Sequence, residues 1–388
     1  MIQKISRSLF AILLLTSTLV SQACTIFMAN DGQHVWIGNN EDEIYTTQYR
    51  MWYYPAGKEN FGYMIWTELS IGKLFYGLMY KNPQGGLNQY GLFMDYTAID
   101  DEPVTNDPAK ENRKKELVHD LLKSCKTVSE AIQYISKYNL VKLKGAQLYI
   151  ADANGDYATV HGGYIIRKTE NNFALTNYCI NKGHKEACYR RDVAVNYLSA
   201  AKTFELTDIK TILQKSAQKQ PQTLVTNFSM AVDLKSSTIH LYYKNDFETE
   251  KVINLKTELE KGAHHKDLAE YFPKDVSPLI EKEFERNGIN AALATYKQLR
   301  TNASGQFNFN SNAVVNLAVK WIDTGKVKEA IALLETLKEF DPDKTEIYTW
   351  LGVAYRKDNN TIESNRNFAR ALELNPNDYL ATLWGKQE

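Results

Sequence analysis

Apolar residues recur with two different periods along this chain. From Cys24 to about Lys261 they come in short runs of four to eight, many of them alternating and rich in Tyr, Trp, Phe, Ile and Val. Such runs predict strands, because successive side chains of a strand point to opposite faces. Thr25 to Ala29 and Gln33 to Gly38 read as a hairpin closed by Asn30-Asp31-Gly32. Further strands are expected at Tyr49 to Tyr54, Tyr63 to Glu68, Leu74 to Tyr80 and Leu92 to Tyr96. Helical spacing takes over at Lys110 to Leu122 and Val128 to Tyr138, with Thr127 or Ser129 near an N-cap. Strands return at Ala146 to Ala151, Tyr157 to Val160, Tyr164 to Lys168 and Phe173 to Asn177, the first two joined by the turn signal Asp152-Ala153-Asn154-Gly155. Tyr189 to Ala201 and Asp208 to Ala217 read as helices, and Met230 to Leu234 with Thr238 to Tyr243 as a last hairpin. Strands, helices, strands and helices in that order predict an α+β domain of two sheets covered by helical layers.

The remainder is helical and repetitive. Leu317, Trp321, Gly325, Ala330, Leu334 and Pro342 return 34 residues on as Leu351, Tyr355, Asn359, Ser364, Phe368 and Pro376. That period, with small residues in the turn and Pro at the end, resembles the tetratricopeptide repeat. A degenerate third unit is expected around Phe284 to Leu299. Such a repeat cannot bury its apolar face alone, so it docks on the first domain or on a protein partner. The expected organisation is a signal peptide at 1–23, a catalytic domain at 24–261, a linker at 262–277 and a repeat domain at 278–388.

The first residues change the picture most. Lys4 and Arg7, the apolar run Leu9 to Leu15, and small Ser21 and Ala23 form a secretory signal with a cut after Ala23. The run is too short to span a bilayer, and no other segment is apolar enough. A secreted or periplasmic protein is expected. Lipid attachment at Cys24 is the rival reading, disfavoured by Ser21 where an apolar residue is usual. A cut after Ala23 leaves a chain that starts at Cys24, with a thiol and a free α-amine on one carbon: a nucleophile with its own proton acceptor.

Composition adds exclusions. Lys and Arg number 46 and Asp and Glu 46, so nothing points to nucleic acid. Of the four cysteines, Cys125 lies in a helical pattern, and Cys179 and Cys188 are close enough in sequence to pair. The His264-His265 pair reads as a surface feature. Neither cofactor nor metal is expected.

Around an N-terminal thiol, chemistry requires a carboxylate to hold the amine, donors for an oxyanion and a slot for the acyl group. Asp42, in Gly38-Asn39-Asn40-Glu41-Asp42, follows the hairpin back to Cys24; Asn177 closes a strand; Arg190 opens a helix. Cys24-Thr25, that string, Gly85-Gly86-Leu87-Asn88-Gln89-Tyr90-Gly91-Leu92, the turn from Ala151 to Asp156, Leu175-Thr176-Asn177 and Tyr189-Arg190 occur in one order. This order resembles the choloylglycine hydrolase and penicillin V acylase family, linear-amide hydrolases of the N-terminal nucleophile superfamily, over Cys24 to about Lys261. The resemblance implies a four-layer αββα fold and cleavage of a small-molecule N-acyl amide through a thioester. It makes Cys24 the nucleophile, Asp42 the carboxylate ordering the amine, Asn177 the side-chain oxyanion donor and Arg190, with Arg191 adjacent, the arginine beside the thiol. It places a backbone oxyanion donor near Tyr96 and Thr97. One departure stands out: bile-salt hydrolases carry Arg where this chain has Asn39. An acyltransferase on the same scaffold, and a non-catalytic secreted binding protein using the repeats, are the alternative functions.

Overall fold

The computed structural model describes residues 24–69, 83–183, 188–219, 224–302, 305–309 and 312–385. The expected signal peptide and the expected strand Leu74 to Tyr80 lie outside them. Two antiparallel sheets form the first part. One has six strands: β1 (Thr25–Asn30), β2 (Val35–Glu43), β10 (Phe173–Leu175), β11 (Val225–Asp233), β12 (Thr238–Tyr243) and β13 (Asp246–Asn254), in the order β10-β1-β2-β11-β12-β13. The other has eight: β3 (Tyr49–Tyr54), β4 (Tyr63–Glu68), β5 (Gly85–Asn88), β6 (Phe93–Ala98), β7 (Ala146–Ala151), β8 (Tyr157–His161), β9 (Tyr164–Arg167) and β14 (His264–Asp267), in the order β9-β8-β7-β6-β5-β4-β3-β14.

Strand alternation decides the layers. Ile26, Met28, Val35 and Ile37 from the first sheet meet Tyr49, Met51, Met64, Trp66, Phe93 and Tyr149 from the second in one buried core. The intervening residues face outward. Phe27, Ala29 and Trp36 pack under α3 (Tyr189–Ala200) and α4 (Leu206–Ser216). Ile65, Met94, Leu148 and Ile150 pack under α1 (Val118–Ser124) and α2 (Val128–Ile135). The result is helix, sheet, sheet, helix: the αββα order expected from the sequence. Each fully buried Ile, Leu or Phe contributes about 1.5–3 kcal/mol, so three such interfaces account for the sandwich.

Three expectations need correcting. The helix expected from Lys110 starts only at Val118, because Glu111–Asn112 pairs as a short strand with Tyr138–Asn139 and the Asn139 amide donates to the carbonyls of Asp107 (2.8 Å) and Lys110 (3.2 Å) and to Asn112 Oδ1 (3.0 Å), holding this stretch extended. The expected linker is not one over its first half: His264–Asp267 pairs with β3, and Leu268 and Phe272 are buried in the inter-sheet core. Finally, β13 and the short helix α5 (Leu255–Leu259) follow the expected last hairpin, and the exposed charges Glu248, Glu250 and Lys251 of β13, natural on a sheet edge, blur the alternation.

The C-terminal helices have their own core. Pairs form from α6 (Ser277–Asn287) and α7 (Ile289–Asn302), α8 (Ala313–Asp323) and α9 (Val327–Phe340), and α10 (Thr345–Lys357) and α11 (Thr361–Leu374), followed by α12 (Tyr379–Trp384). Gly325 and Asn359, equivalent in the 34-residue register, both take positive φ, at 82° and 60°, where each helix pair turns. Lys219 of the sandwich lies 3.4 Å from Glu346 of α10.

Candidate active site

The hairpin β1–β2 builds the site. Ile37 faces the other sheet and Trp36 faces the helices, which fixes the parity of everything after them. Asn39 and Glu41 therefore face inward between the sheets, and Asn40 and Asp42 face outward. Cys24 has the parity of Ile26 and Met28, so its thiol faces inward too. Thr25 pairs with Asn40, which sets Cys24 opposite Glu41. The string Gly38 to Asp42 lies within β2 rather than after the hairpin, and Asp42 is wholly buried.

On the outward face both polar side chains of β2, Asn40 and Asp42, are matched. Asp42 accepts from Thr226 Oγ1 on one oxygen, and on the other from Gln218 Nε2 at 2.8 Å and Arg190 Nη1 at 3.2 Å. Arg190, in the first turn of α3, also donates from Nη1 to the Cys24 carbonyl at 2.9 Å and Thr25 Oγ1 at 3.1 Å, and from Nη2 to Asn177 Oδ1 at 3.3 Å. Asn177 donates from Nδ2 to the Ala98 carbonyl at 3.1 Å. One guanidinium thus joins Cys24, Asp42 and Asn177. Burial pushes the Asp42 carboxyl up to about 6, against the pull of Arg190, Thr226 and Gln218. Asn40 is held as firmly, by Leu213 O at 3.1 Å, Ser216 Oγ at 3.0 Å and Ser229 Oγ at 2.7 Å.

The inward face is the reverse. Asn39, Asp95 and Thr97 are fully buried and Glu41 nearly so. Among the described residues, Asn39 Nδ2 and Oδ1, Glu41 Oε2, both Asp95 carboxyl oxygens, Thr97 Oγ1 and Trp66 Nε1 have no hydrogen-bond partner. The Asn39 amide lies near both carboxyls and favours their ionisation, without reaching hydrogen-bond geometry to either. Trp66 is fitted against Gly85, where a Cβ would lie 2.2 Å from its ring. Burial raises the Cys24 thiol well above its ordinary range; Glu41, Asp95 and Asp42 add to this, and a hydrogen bond from the Asp42 backbone opposes it.

All four residues singled out in the sequence, Cys24, Asp42, Asn177 and Arg190, meet here. Arg190 touches Cys24, whereas Arg191 lies over the Tyr178 ring, 6.0 Å from its centroid. The backbone donor expected near Tyr96 is not available, since both Tyr96 and Thr97 lie within β6 and Tyr96 N–H donates to Gln84 O at 3.1 Å. Two of the motif residues are structural. Asn88 bonds the carbonyls of Leu122 and Cys125, and Asp152 accepts from the backbone of Val128, Asn154 and Asp156. All four cysteines are free, including the candidate pair Cys179 and Cys188. His264 stacks on Tyr53 and bonds Glu258. No group of three or more His, Cys, Asp or Glu side chains converges as a metal site among the described residues. Glu41, Asp95, Thr226 and Gln218 are functional-face residues that the sequence motifs do not single out. Strand parity within Gly38 to Asp42 is the signal for Glu41; Thr226 and Gln218 carry none.

No family model matches the chain, and no curated protein matches it in sequence. Solved structures do. A penicillin V acylase from Agrobacterium tumefaciens is similar at TM-score 0.46 and 15% identity, over 63% of this chain and 90% of its own. A mutant conjugated bile acid hydrolase from Clostridium perfringens is similar at TM-score 0.45 and 12% identity, over 63% of this chain and 96% of its own. The first TPR of Spaghetti, bound to an HSP90 peptide, is similar at TM-score 0.21 and 20% identity, over 29% of this chain and 85% of its own.

Proposed function

We propose that the protein is an exported hydrolase of linear, non-peptide amides, with Cys24 as its N-terminal nucleophile after cleavage behind Ala23. The observation that carries this reading is the Arg190 guanidinium, which ties the Cys24 carbonyl to Asp42 and Asn177. In the unprocessed chain, burial and three carboxyls keep the thiol protonated. Cleavage would place an α-amine on the same carbon, with a reference pKa of about 7.7–8.0. That amine takes the thiol proton, and the thiolate attacks the amide carbonyl carbon. Asn177 is the proposed donor to the oxyanion, a primary amide having two N–H groups. The C–N bond breaks as the ammonium returns a proton to the leaving amine. Water then attacks the thioester, the C–S bond breaks, and a carboxylic acid leaves.

The test is to express the full chain, determine the N-terminus and intact mass of the processed protein, and assay phenoxyacetyl and fatty-acyl amides. The expected result is a chain starting at Cys24, active on at least one amide and inactive as Cys24→Ala. Persistent hydrolysis in that variant, or an acylated Cys24, overturns the reading.

A further inference from the structure

The polar groups on the inward face are not used by the mechanism. They lie on the side of the sheet that carries the thiol, and Glu41 is the cross-strand neighbour of Cys24. Buried polar groups are nearly always paired, and leaving one unpaired costs its full desolvation. A cluster built from Asn39 and Glu41 on β2, Trp66 on β4, and Asp95 and Thr97 on β6 therefore calls for a partner that the described residues do not supply.

The chemistry of that partner follows from the inventory. The orphaned acceptors are Asn39 Oδ1, Glu41 Oε2 and both Asp95 oxygens; the orphaned donors are Asn39 Nδ2 and Trp66 Nε1, and the Thr97 hydroxyl serves as either. With both carboxyls ionised, acceptors exceed donors. Two carboxyls repel an anion, and a hydrocarbon would leave every group unpaired. A metal ion is a poor fit, because no three ligating side chains converge among the described residues. An ammonium brings three donors and a guanidinium five.

We propose that this inward face is a subsite for a positively charged nitrogen of the substrate, an ammonium or guanidinium held between Glu41 and Asp95. The proposal rests on the reading of Cys24 as an amide-cleaving nucleophile and names the substrate class: amides that carry a cation close to the scissile bond. It also gives Asn39 a purpose, since an arginine at that position would fill the subsite with the protein's own cation. The bound charge has a second effect. Burial and the neighbouring Asp42 charge raise the Glu41 carboxyl to about 8, burial and Glu41 raise that of Asp95 well above its ordinary range, and both carboxyls raise the Cys24 thiol. A cation between them favours their ionised forms, so binding a charged substrate releases protons from this pair.

Two matched pairs of substrates test this with the processed full-length protein. N-phenylacetyl-cadaverine against N-phenylacetyl-pentylamine places the charge on the amine side. 6-Aminohexanoyl anilide against hexanoyl anilide places it on the acyl side. In at least one pair the cationic member is expected to have a kcat/KM more than about tenfold higher. Glu41→Gln and Asp95→Asn are each expected to remove most of that preference, the cationic member losing at least about tenfold more kcat/KM than its neutral mate. In parallel, Cys24→Ala, which cannot turn over, is expected to gain thermal stability from the preferred cationic member and not from its neutral mate. Equal use of both members, or equal losses on both in the two variants, overturns the cation subsite while leaving amide hydrolysis intact. Hydrolysis that survives Cys24→Ala overturns the nucleophile reading instead. If no amide is cleaved, the thermal shift decides: its absence with both cationic ligands overturns the subsite.

Discussion

The two faces of strand β2 carry nearly the same residues and treat them in opposite ways. Asn40 and Asp42 look toward the helices and have every hydrogen bond they can use. Asn39 and Glu41, one step along the backbone, look between the sheets and leave buried polar atoms unpaired. Composition cannot separate the pairs; only the strand's period of two does. A satisfied buried network gives rigidity and fixes geometry, whereas an unsatisfied one costs stability that a structural role would not require. In the proposed function the outward face is the frame that positions Cys24, and the inward face is the surface that meets the substrate.

The largest test is to break the frame. Asp42→Ala leaves Arg190 without its carboxylate and takes an acceptor from Thr226 and Gln218, at a fully buried position. Removing one partner of such a pair costs about 3–5 kcal/mol. Chemical denaturation is expected to report a loss of that size, together with loss of amide hydrolysis. A change below about 1 kcal/mol would mean that the outward network holds nothing in place. Next in size is Asn177→Ala. If Asn177 serves the oxyanion, kcat falls about 10²–10³-fold with little change in KM, as for loss of one preorganised donor. A loss confined to stability would leave Asn177 a spacer between Arg190 and Ala98.

Much of this is legible in the amino-acid sequence. The alternation of β1 to β4 and β6 to β8 and the 34-residue repeat identify the layers and the helix pairs, because each element buries one regular face, whereas β5, Gly85–Asn88, carries too few side chains to show one. Cys24, Asp42, Asn177 and Arg190 stand out as chemistry in a recognisable order. Their partners do not. Thr226 reaches Asp42 from 184 residues away, across neighbouring strands, and nothing local marks it. Asn88 and Asp152 show the converse. Their motif positions look chemical, yet their side chains tie turns and helix starts to the sheet. Glu41 is within reach of the sequence, since the parity that sends Asp42 outward sends Glu41 inward. That parity exists only if Gly38 to Asp42 continues the strand; placed after the hairpin, as the sequence suggests, the string has none.

The inward face is expected to respond with the opposite sign. The folded state raises the Glu41 carboxyl from its usual 4.5 to about 8, chiefly through burial. Between those values the folded protein holds a proton that the unfolded chain has released. Stability therefore falls as pH rises through this window and levels off above it. Glu41→Gln removes this contribution. At pH 8 the variant is expected to be more stable than the parent by up to a few kcal/mol, since each tenfold change in proton affinity corresponds to about 1.4 kcal/mol. Near pH 5 the two should nearly coincide. Denaturation midpoints at both values check this, and a variant less stable at pH 8 would place Glu41 in the frame after all.

The finest test sets neighbours against each other. Asn40→Ala removes the side chain that bonds Leu213 O, Ser216 and Ser229, leaving Ser229 and the Leu213 carbonyl without that partner in a dry layer. Leaving such groups unsatisfied costs about 1–3 kcal/mol. Asn39→Ala removes two unpaired polar atoms from an equally buried place. The lost contacts there are offset by relief of desolvation, and the net change is expected to stay within about 1 kcal/mol of zero. Denaturation curves of the two variants, measured side by side, should therefore differ by about 1–2 kcal/mol, although both delete the same atoms from adjacent residues. Equal losses would show that both faces of β2 are scaffold, and the inward carboxyls would need a structural explanation in place of a ligand.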